Sequence, residues 1–350
     1  MKSSLSRRDF LKGSIFVAAG ALGGAALAGC SGNANANNSN TGSAVAASTA
    51  TDKVHAVTLH RGYAAAHGDK CFTQVVVAVN DEGAIVAASV DDYQFLDKTT
   101  AGITPVPNSD SDFAAGYADG VTLCSKSDNN DVYSQMMAAK AGATQKWVAS
   151  MSAIEAYAIG KKPAELTATS ADAVSGATLA DTVNYLKAIA TVAQDTAITA
   201  EGSYEGDGAD LKIGRVNAAA HGTKCFTDAV SLVQGSTIVT ASIDDFQFMD
   251  ATTTGIVGVP NSDKSFGQSG YAAGVILASK SVNSEVYSAL MKAKANATTP
   301  WLSSMTAIET AISGHDINAI DISGPDTVSG ATLQDTAKYV QAAISAAKAL

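Results

Sequence analysis

The sequence predicts an α+β protein: two tandem copies of a small antiparallel sheet packed with helices, after a signal peptide and flexible tether. Three observations carry this expectation. Long stretches recur at an offset of 154 residues, so that Thr178 corresponds to Thr332, with a one-residue indel in an intervening turn that puts Asp91 opposite Asp244. Within each copy, apolar runs of strand length separated by turn residues come first, and apolar residues at helical spacing follow. Regular strand–helix–strand alternation, the mark of a parallel sheet, is missing. A repeat this long is a duplicated domain rather than a solenoid, and each copy of about 140 residues suits one core.

The elements follow in chain order. Ser6-Arg7-Arg8-Asp9-Phe10-Leu11-Lys12 reads as a twin-arginine export signal, and the apolar stretch Gly13 to Ala28 is too short and glycine-rich for a membrane span. It ends in Leu27-Ala28-Gly29-Cys30, which looks like a lipobox cleaved before Cys30, so residues 1–29 are expected as a lipoprotein signal peptide and Cys30 as the lipid attachment point. The resulting expectation is a protein exported by the twin-arginine route and held by lipid to the outer face of the cell membrane. Residues 30–53 are Asn, Ser, Thr, Ala and Gly with almost no large apolar side chain, a flexible tether.

Residues 54–194 form the first copy. Val75–Val79 and Ala84–Val90 flank Asn80-Asp-Glu-Gly83 as a hairpin, with Ala229–Val233 and Thr237–Ile243 flanking Gln234-Gly235 in the second copy. A Pro-, Gly- and Asn-rich loop from Thr99 leads to a short strand near Val121–Ser125. Helices are predicted at about Asp131–Lys140 and Thr144–Ile159, the second with Trp147, Met151, Ile154 and Ala158 on one face as core. A linker is predicted at 195–210, where Gly, Ser and acidic residues replace the apolar pattern, and the second copy at 211–350.

Before the last helix of each copy stands the same phrase, Asp172-Ala-Val-Ser175-Gly176-Ala177-Thr178 and Asp326-Thr-Val-Ser329-Gly330-Ala331-Thr332. One reading is an ordinary helix start with Ser175 or Ser329 as N-cap. Another uses the unpaired N–H groups of a helix N-terminus as a phosphate seat, with the threonine hydroxyl carrying the phosphate as an ester. At these residues the chain resembles the FMN-binding domain family, found in redox-complex subunits and extracytoplasmic flavoproteins. In that family D-x-x-(S/T)-G-A-T is read by a flavin transferase, which takes FMN from FAD and esterifies its phosphate to the last threonine. The resemblance implies two covalent FMN groups, on Thr178 and Thr332. It makes Asp172 and Asp326 part of the transferase recognition sequence and Ser175, Gly176, Ala177, Ser329, Gly330 and Ala331 the surrounding cofactor loop.

Other repeated residues leave alternatives open. His67/Lys70/Cys71 and His221/Lys224/Cys225 read either as a structural loop with a buried cysteine or as a positive region near a flavin. Asp91-Asp92-Tyr93-Gln94-Phe95 and Asp244-Asp245-Phe246-Gln247-Phe248 read as strands with exposed carboxylates and buried aromatics, or as a ring platform or partner contact. Cys71, Cys124 and Cys225 are either buried thiols or, for Cys71 and Cys225, an inter-copy bridge.

Charge narrows the function. The chain carries −10, and loss of residues 1–29 leaves 19 basic and 32 acidic residues, or −13, which argues against nucleic acid. The five histidines show no metal-ligand spacing and no nucleophile–base set is visible. The expected function is a lipid-anchored electron-transfer flavoprotein, more a carrier than an enzyme, relaying electrons from a membrane donor to an external or partner acceptor. An exported flavin-dependent reductase subunit would need an arginine clamp, and only Arg61 and Arg215 follow the signal. An unmodified surface binding module is the third reading.

Overall fold

The computed structural model describes residues 53–170, 173–321, 328, 330, 331 and 333–350, all within one compact unit. It is an α+β fold with two antiparallel sheets. The first copy runs β1 (Val54–Ala64), β2 (Cys71–Asn80), β3 (Ile85–Asp97), a 3-10 turn at Asp112–Gly116, β4 (Val121–Ser125), α1 (Asn130–Ala141), α2 (Trp147–Ala158), α3 (Pro163–Thr167) and α4 (Thr182–Val192). Next come β5 (Thr199–Glu205), β6 (Leu211–Ala218), β7 (Cys225–Gln234), β8 (Thr237–Asp250), α5 (Ser265–Gly270), β9 (Val275–Ser279), α6 (Ser284–Ala295), α7 (Trp301–Ile312), β10 (His315–Asp316) and α8 (Thr336–Lys348).

The first sheet has the order β4-β3-β2-β1-β5. The second has β6-β7-β8, with β9 and β10 both paired to β8 at different positions along it. The duplication extends to irregularities: a bulge between Ala78 and Val79 recurs between Leu232 and Val233. Segment 195–210, expected as a linker, contributes β5, which pairs with β1 from Val54↔Glu205 to His60↔Thr199. Strands β1 and β6 extend the sheets beyond the predicted hairpins.

The two sheets face one another and the helices cover their outer faces. Successive side chains of a strand point to opposite sides, and on β2 both sides are apolar: Val75 and Val77 pack under α2 and α4, while Val76 and Ala78 join a core containing Val230 and Leu232 of the second copy. That explains the unbroken apolar run from Val75 to Val79, since a sheet covered on both faces loses its polar alternation. A second inter-sheet cluster joins Phe72, Tyr93 and Phe113 to Phe226, Phe246 and Phe266.

The contacts between copies are reciprocal, as about a two-fold axis. Ala118 N–H donates to Gly270 O and Ala272 N–H to Gly116 O, each at 2.9 Å. Asn108 Nδ2 donates to Gly222 O (2.8 Å) and Cys225 O (2.7 Å), and Asn261 Nδ2 to Gly68 O and Cys71 O at the same distances. Both asparagines hold φ 66°, a left-handed conformation that asparagine tolerates. The repeated Pro-Asn-Ser-Asp phrase is thus a clasp between the copies. Among the described residues no helix is long and apolar enough to cross a membrane.

Candidate functional site

The expected flavin loop of the first copy lies on the surface beside α2. Val174 is buried and anchors it, and Ala177 N–H closes a turn on Val174 O at 3.3 Å. Gly176 has φ +90°, which a side chain rarely adopts, and its carbonyl accepts Gln145 Nε2 at 2.5 Å. Ser175 and Thr178 are exposed and Ala177 packs partly against the core. The Thr178 hydroxyl lies 3.2 Å from Ser150 Oγ, which also accepts the Thr178 N–H at 3.3 Å. In the second copy Val328 is buried, Gly330 is exposed with φ +92°, and Ala331 N–H reaches Val328 O at 3.3 Å. Asp172, Asp326, Ser329 and Thr332 lie outside the described residues, as does Cys30.

The helix start is corrected. Helix α4 opens at Thr182 with Asp181 at its N-cap, and α8 at Thr336 with Asp335, so neither Ser175 nor Ser329 holds the cap position. The positive φ of Gly176 breaks the helix before it forms. At the α4 start, Thr182 N–H is bonded to Leu179 O and Asn184 N–H to Asp181 O. Thr178 therefore precedes the first helical residue, Thr182, and presents its hydroxyl from a loop rather than from the helix itself.

Behind this loop sits a buried polar cluster built from equivalent residues in both copies. Lys126 Nζ is 2.9 Å from Asp92 Oδ2, Tyr185 OH donates to that oxygen at 2.5 Å, and Thr73 donates to Oδ1 at 2.6 Å. The ammonium lies 4.6 Å from the Tyr133 ring centroid and 6.0 Å from that of Trp147. In the second copy Lys280 meets Asp245 at 2.9 Å, with Tyr339 at 2.7 Å and Thr227 at 2.6 Å, under Tyr287 and Trp301, both 4.7 Å away. Burial is the largest influence and lowers the Lys126 pKa, but the Asp92 charge and hydrogen bond, with Cys71 and Tyr133, together outweigh it and the net shift is upward, so the ammonium stays charged.

The His67–Cys71 loop roofs this cluster. The His67 ring stacks on Tyr185 at 6.3 Å, and its Nδ1 lies 2.9 Å from Asp181 Oδ2, outside hydrogen-bond geometry. Burial, with Lys126 adding to it, lowers the His67 pKa. Cys71 donates to His67 O at 3.0 Å and lies 3.9 Å from Lys126 Nζ. Its thiol is pushed up by burial and by Asp92, which removes it as a nucleophile. Cys71, Cys124 and Cys225 are all buried free thiols, so Cys71 and Cys225 are not bridged. Lys70 and Lys224 are exposed, and the charge under the loop is supplied instead by Lys126 and Lys280.

The carboxylate strands are also corrected. Asp91, Asp92, Asp244 and Asp245 are all 0 % exposed, because both faces of each sheet are covered. Asp92 and Asp245 point to the helix side. Asp91 and Asp244 point between the sheets, where a polar strip crosses the apolar core. Arg61 pairs with Asp228 at 2.6 Å and donates to Ser242 Oγ at 2.8 Å. Arg215 pairs with Asp91 and, at 3.2 Å, with Asp228. Each buried carboxylate thus has charge or hydrogen-bond partners, without which its burial would be prohibitive.

The sequence reading missed Lys126, Tyr185, Ser150 and Gln145. For the first two the signal was present: Ser125-Lys126-Ser127 recurs as Ser279-Lys280-Ser281, and Tyr185 as Tyr339. Elsewhere, His55, Asp81 and Glu82 place ligand atoms within 4.8 Å, but His55–Asp81 (2.8 Å) and Lys53–Glu82 (2.6 Å) already pair them. No protein-family model, curated protein or solved structure matches this chain.

Proposed function

We propose that this chain is an extracytoplasmic electron-transfer flavoprotein carrying FMN as a phosphoester on Thr178 and on Thr332. The observation that carries the reading is the complete Asp-x-x-Ser-Gly-Ala-Thr phrase in both copies, with Thr178 exposed on a glycine-turned surface loop. An exposed hydroxyl on such a loop is open to a flavin transferase, and it suits modification after folded export. In the transfer, Thr178 Oγ1 loses its proton and gains the FMN phosphoryl group while the pyrophosphate bond of FAD breaks and AMP leaves.

The residues present fit the group. Ser150 holds the Thr178 hydroxyl and backbone, fixing the attachment point. The His67 loop and the buried Lys126–Asp92 pair stand behind it, where fixed charges would tune the electronics of a ring. When bound, FMN supplies reversible uptake of electrons and protons. The protein's part is to anchor it, exclude water beneath it and set the local field. Cys30 would carry the lipid, the tether would let the body reach its partners, and a membrane electron donor with an external acceptor completes the relay. The reductase alternative is disfavoured because Arg61 and Arg215 are both sequestered between the sheets.

The test is expression with and without a flavin transferase, read by intact mass and in-gel flavin fluorescence. Thr178→Val and Thr332→Val should each halve the fluorescence and remove one of two mass increments of roughly 440 Da, set by the cofactor. A fluorescent double variant would overturn the assignment.

A further inference from the structure

The site-forming loop of each copy is held by residues of the other. In the first copy the roof is His67 to Cys71, and two of its carbonyls, Gly68 O and Cys71 O, accept hydrogen bonds from Asn261. Phe266 N–H donates to Asp69 O at 2.8 Å and Ser265 Oγ to Asp69 Oδ2 at 2.6 Å. The roof of the second copy, His221 to Cys225, receives the same treatment from Asn108, Phe113 N–H (to Thr223 O, 2.9 Å) and Asp112 (Thr223 Oγ1, 2.7 Å).

The floor is crossed too. Asp91 accepts from Ser125 Oγ at 2.5 Å and from Ser127 N–H and Oγ at 3.0 Å, and so shapes the turn that presents Lys126. Its counter-charge is Arg215, from the second copy. Asp244 holds the Lys280 turn through Ser279 and Ser281 and takes its inter-copy bond from Tyr63 OH at 2.6 Å.

We propose that the two sites are completed in trans: Asn261 and Arg215 are positioning residues of the first site, and Asn108 and Tyr63 of the second. The flavin reading gives the sites their role, and this inference rests on it for that role alone. Its consequence is crosswise: damage to the second copy's clasp is felt at Thr178 and not at Thr332.

The test uses the full chain, flavinylated at one position at a time through Thr332→Val or Thr178→Val backgrounds. Asn261→Gly keeps the left-handed backbone and removes the side chain with its clasping amide. It should shift the midpoint potential of the Thr178 flavin and leave that of Thr332 unchanged, with Asn108→Gly giving the opposite pattern. In parallel, alkylation of the buried thiols by iodoacetamide is followed by peptide mass. Loosening one roof should raise the Cys71 rate relative to Cys225 by about tenfold in Asn261→Gly, and the reverse in Asn108→Gly, because local opening sets the exposure of a buried group. Equal responses at both sites, or none, would overturn the proposal. Were the protein to carry no flavin, the function above would fall while the alkylation ratio still decided this inference. If a glycine variant does not fold, Tyr63→Phe, which deletes one hydroxyl, must affect Cys225 and the Thr332 flavin alone.

Discussion

Replacing Asp92 by Asn should destabilise the protein more than replacing its partner Lys126 by Met. In Asp92→Asn the ammonium, 2 % exposed, loses its counter-charge and keeps only uncharged partners: the amide oxygen, the Cys71 sulfur at 3.9 Å and the faces of Tyr133 and Trp147. A desolvated ammonium–ring contact contributes about 2 kcal/mol, whereas stranding one member of a buried pair costs about 3–5 kcal/mol. Lys126→Met strands the carboxylate less completely, since Tyr185 at 2.5 Å and Thr73 at 2.6 Å still donate to it. Hydrogen bonds to a charged group contribute about 1.5–3 kcal/mol each, so this variant should cost roughly 1–2 kcal/mol less than Asp92→Asn. Equilibrium urea unfolding followed by circular dichroism measures both. The double variant should cost less than the sum of the singles, because the two share one interaction. A Lys126→Met loss equal to or larger than that of Asp92→Asn would refute the reasoning.

Two further outcomes follow from buried or constrained positions. Glu309 is 5 % exposed, its carboxylate accepts Ile243 N–H at 2.8 Å, and burial pushes its pKa up to about 8. A folded pKa above the unfolded one gives stability that is full below the ordinary value of 4.5 and is lost as pH rises towards 8. Glu309→Gln should therefore flatten the fall in melting temperature between these limits, and an unchanged slope would count against it. Gly176→Ala forces a side chain into φ +90°, which costs about 1–2 kcal/mol for a left-handed residue. In a Thr332→Val background it should lower flavin incorporation at Thr178 and lower the melting temperature by a few degrees, and undiminished fluorescence would contradict a role for the turn.

Much of this architecture could be read from the residues. The strand at Val121–Ser125 and the helices carrying Tyr133 and Trp147 follow from periodicity, because each is regular and one face is apolar. The loop carrying Thr178 was legible as a motif, but its conformation was not. An apolar pattern from Leu179 onward looks helical at once, while the helix waits until Thr182 for a backbone free of the Gly176 turn. Burial of Asp91 and Asp92 was hidden because alternation along one strand cannot tell that a second sheet covers one face, over Asp91, and helices the other, over Asp92. The role of Asn108 and Asn261 was hidden for the same reason: their partners lie 114 to 193 residues away. Strand β5 reads as a linker since Thr199–Glu205 has few apolar residues, yet an edge strand needs only one covered face.

Midway between the sheets, position 74 is glutamine in one copy and its equivalent, 228, is aspartate in the other. Arg61 and Arg215 both turn to Asp228, and the Gln74 amide is left with neither donor nor acceptor satisfied. A homologous swap would expose the imbalance. Two tandem first halves would bring both guanidinium groups to a neutral centre, and two second halves would crowd an extra carboxylate against them. The halves share an outline and are not interchangeable, so the molecule has an electrostatic polarity that its near-symmetric trace conceals.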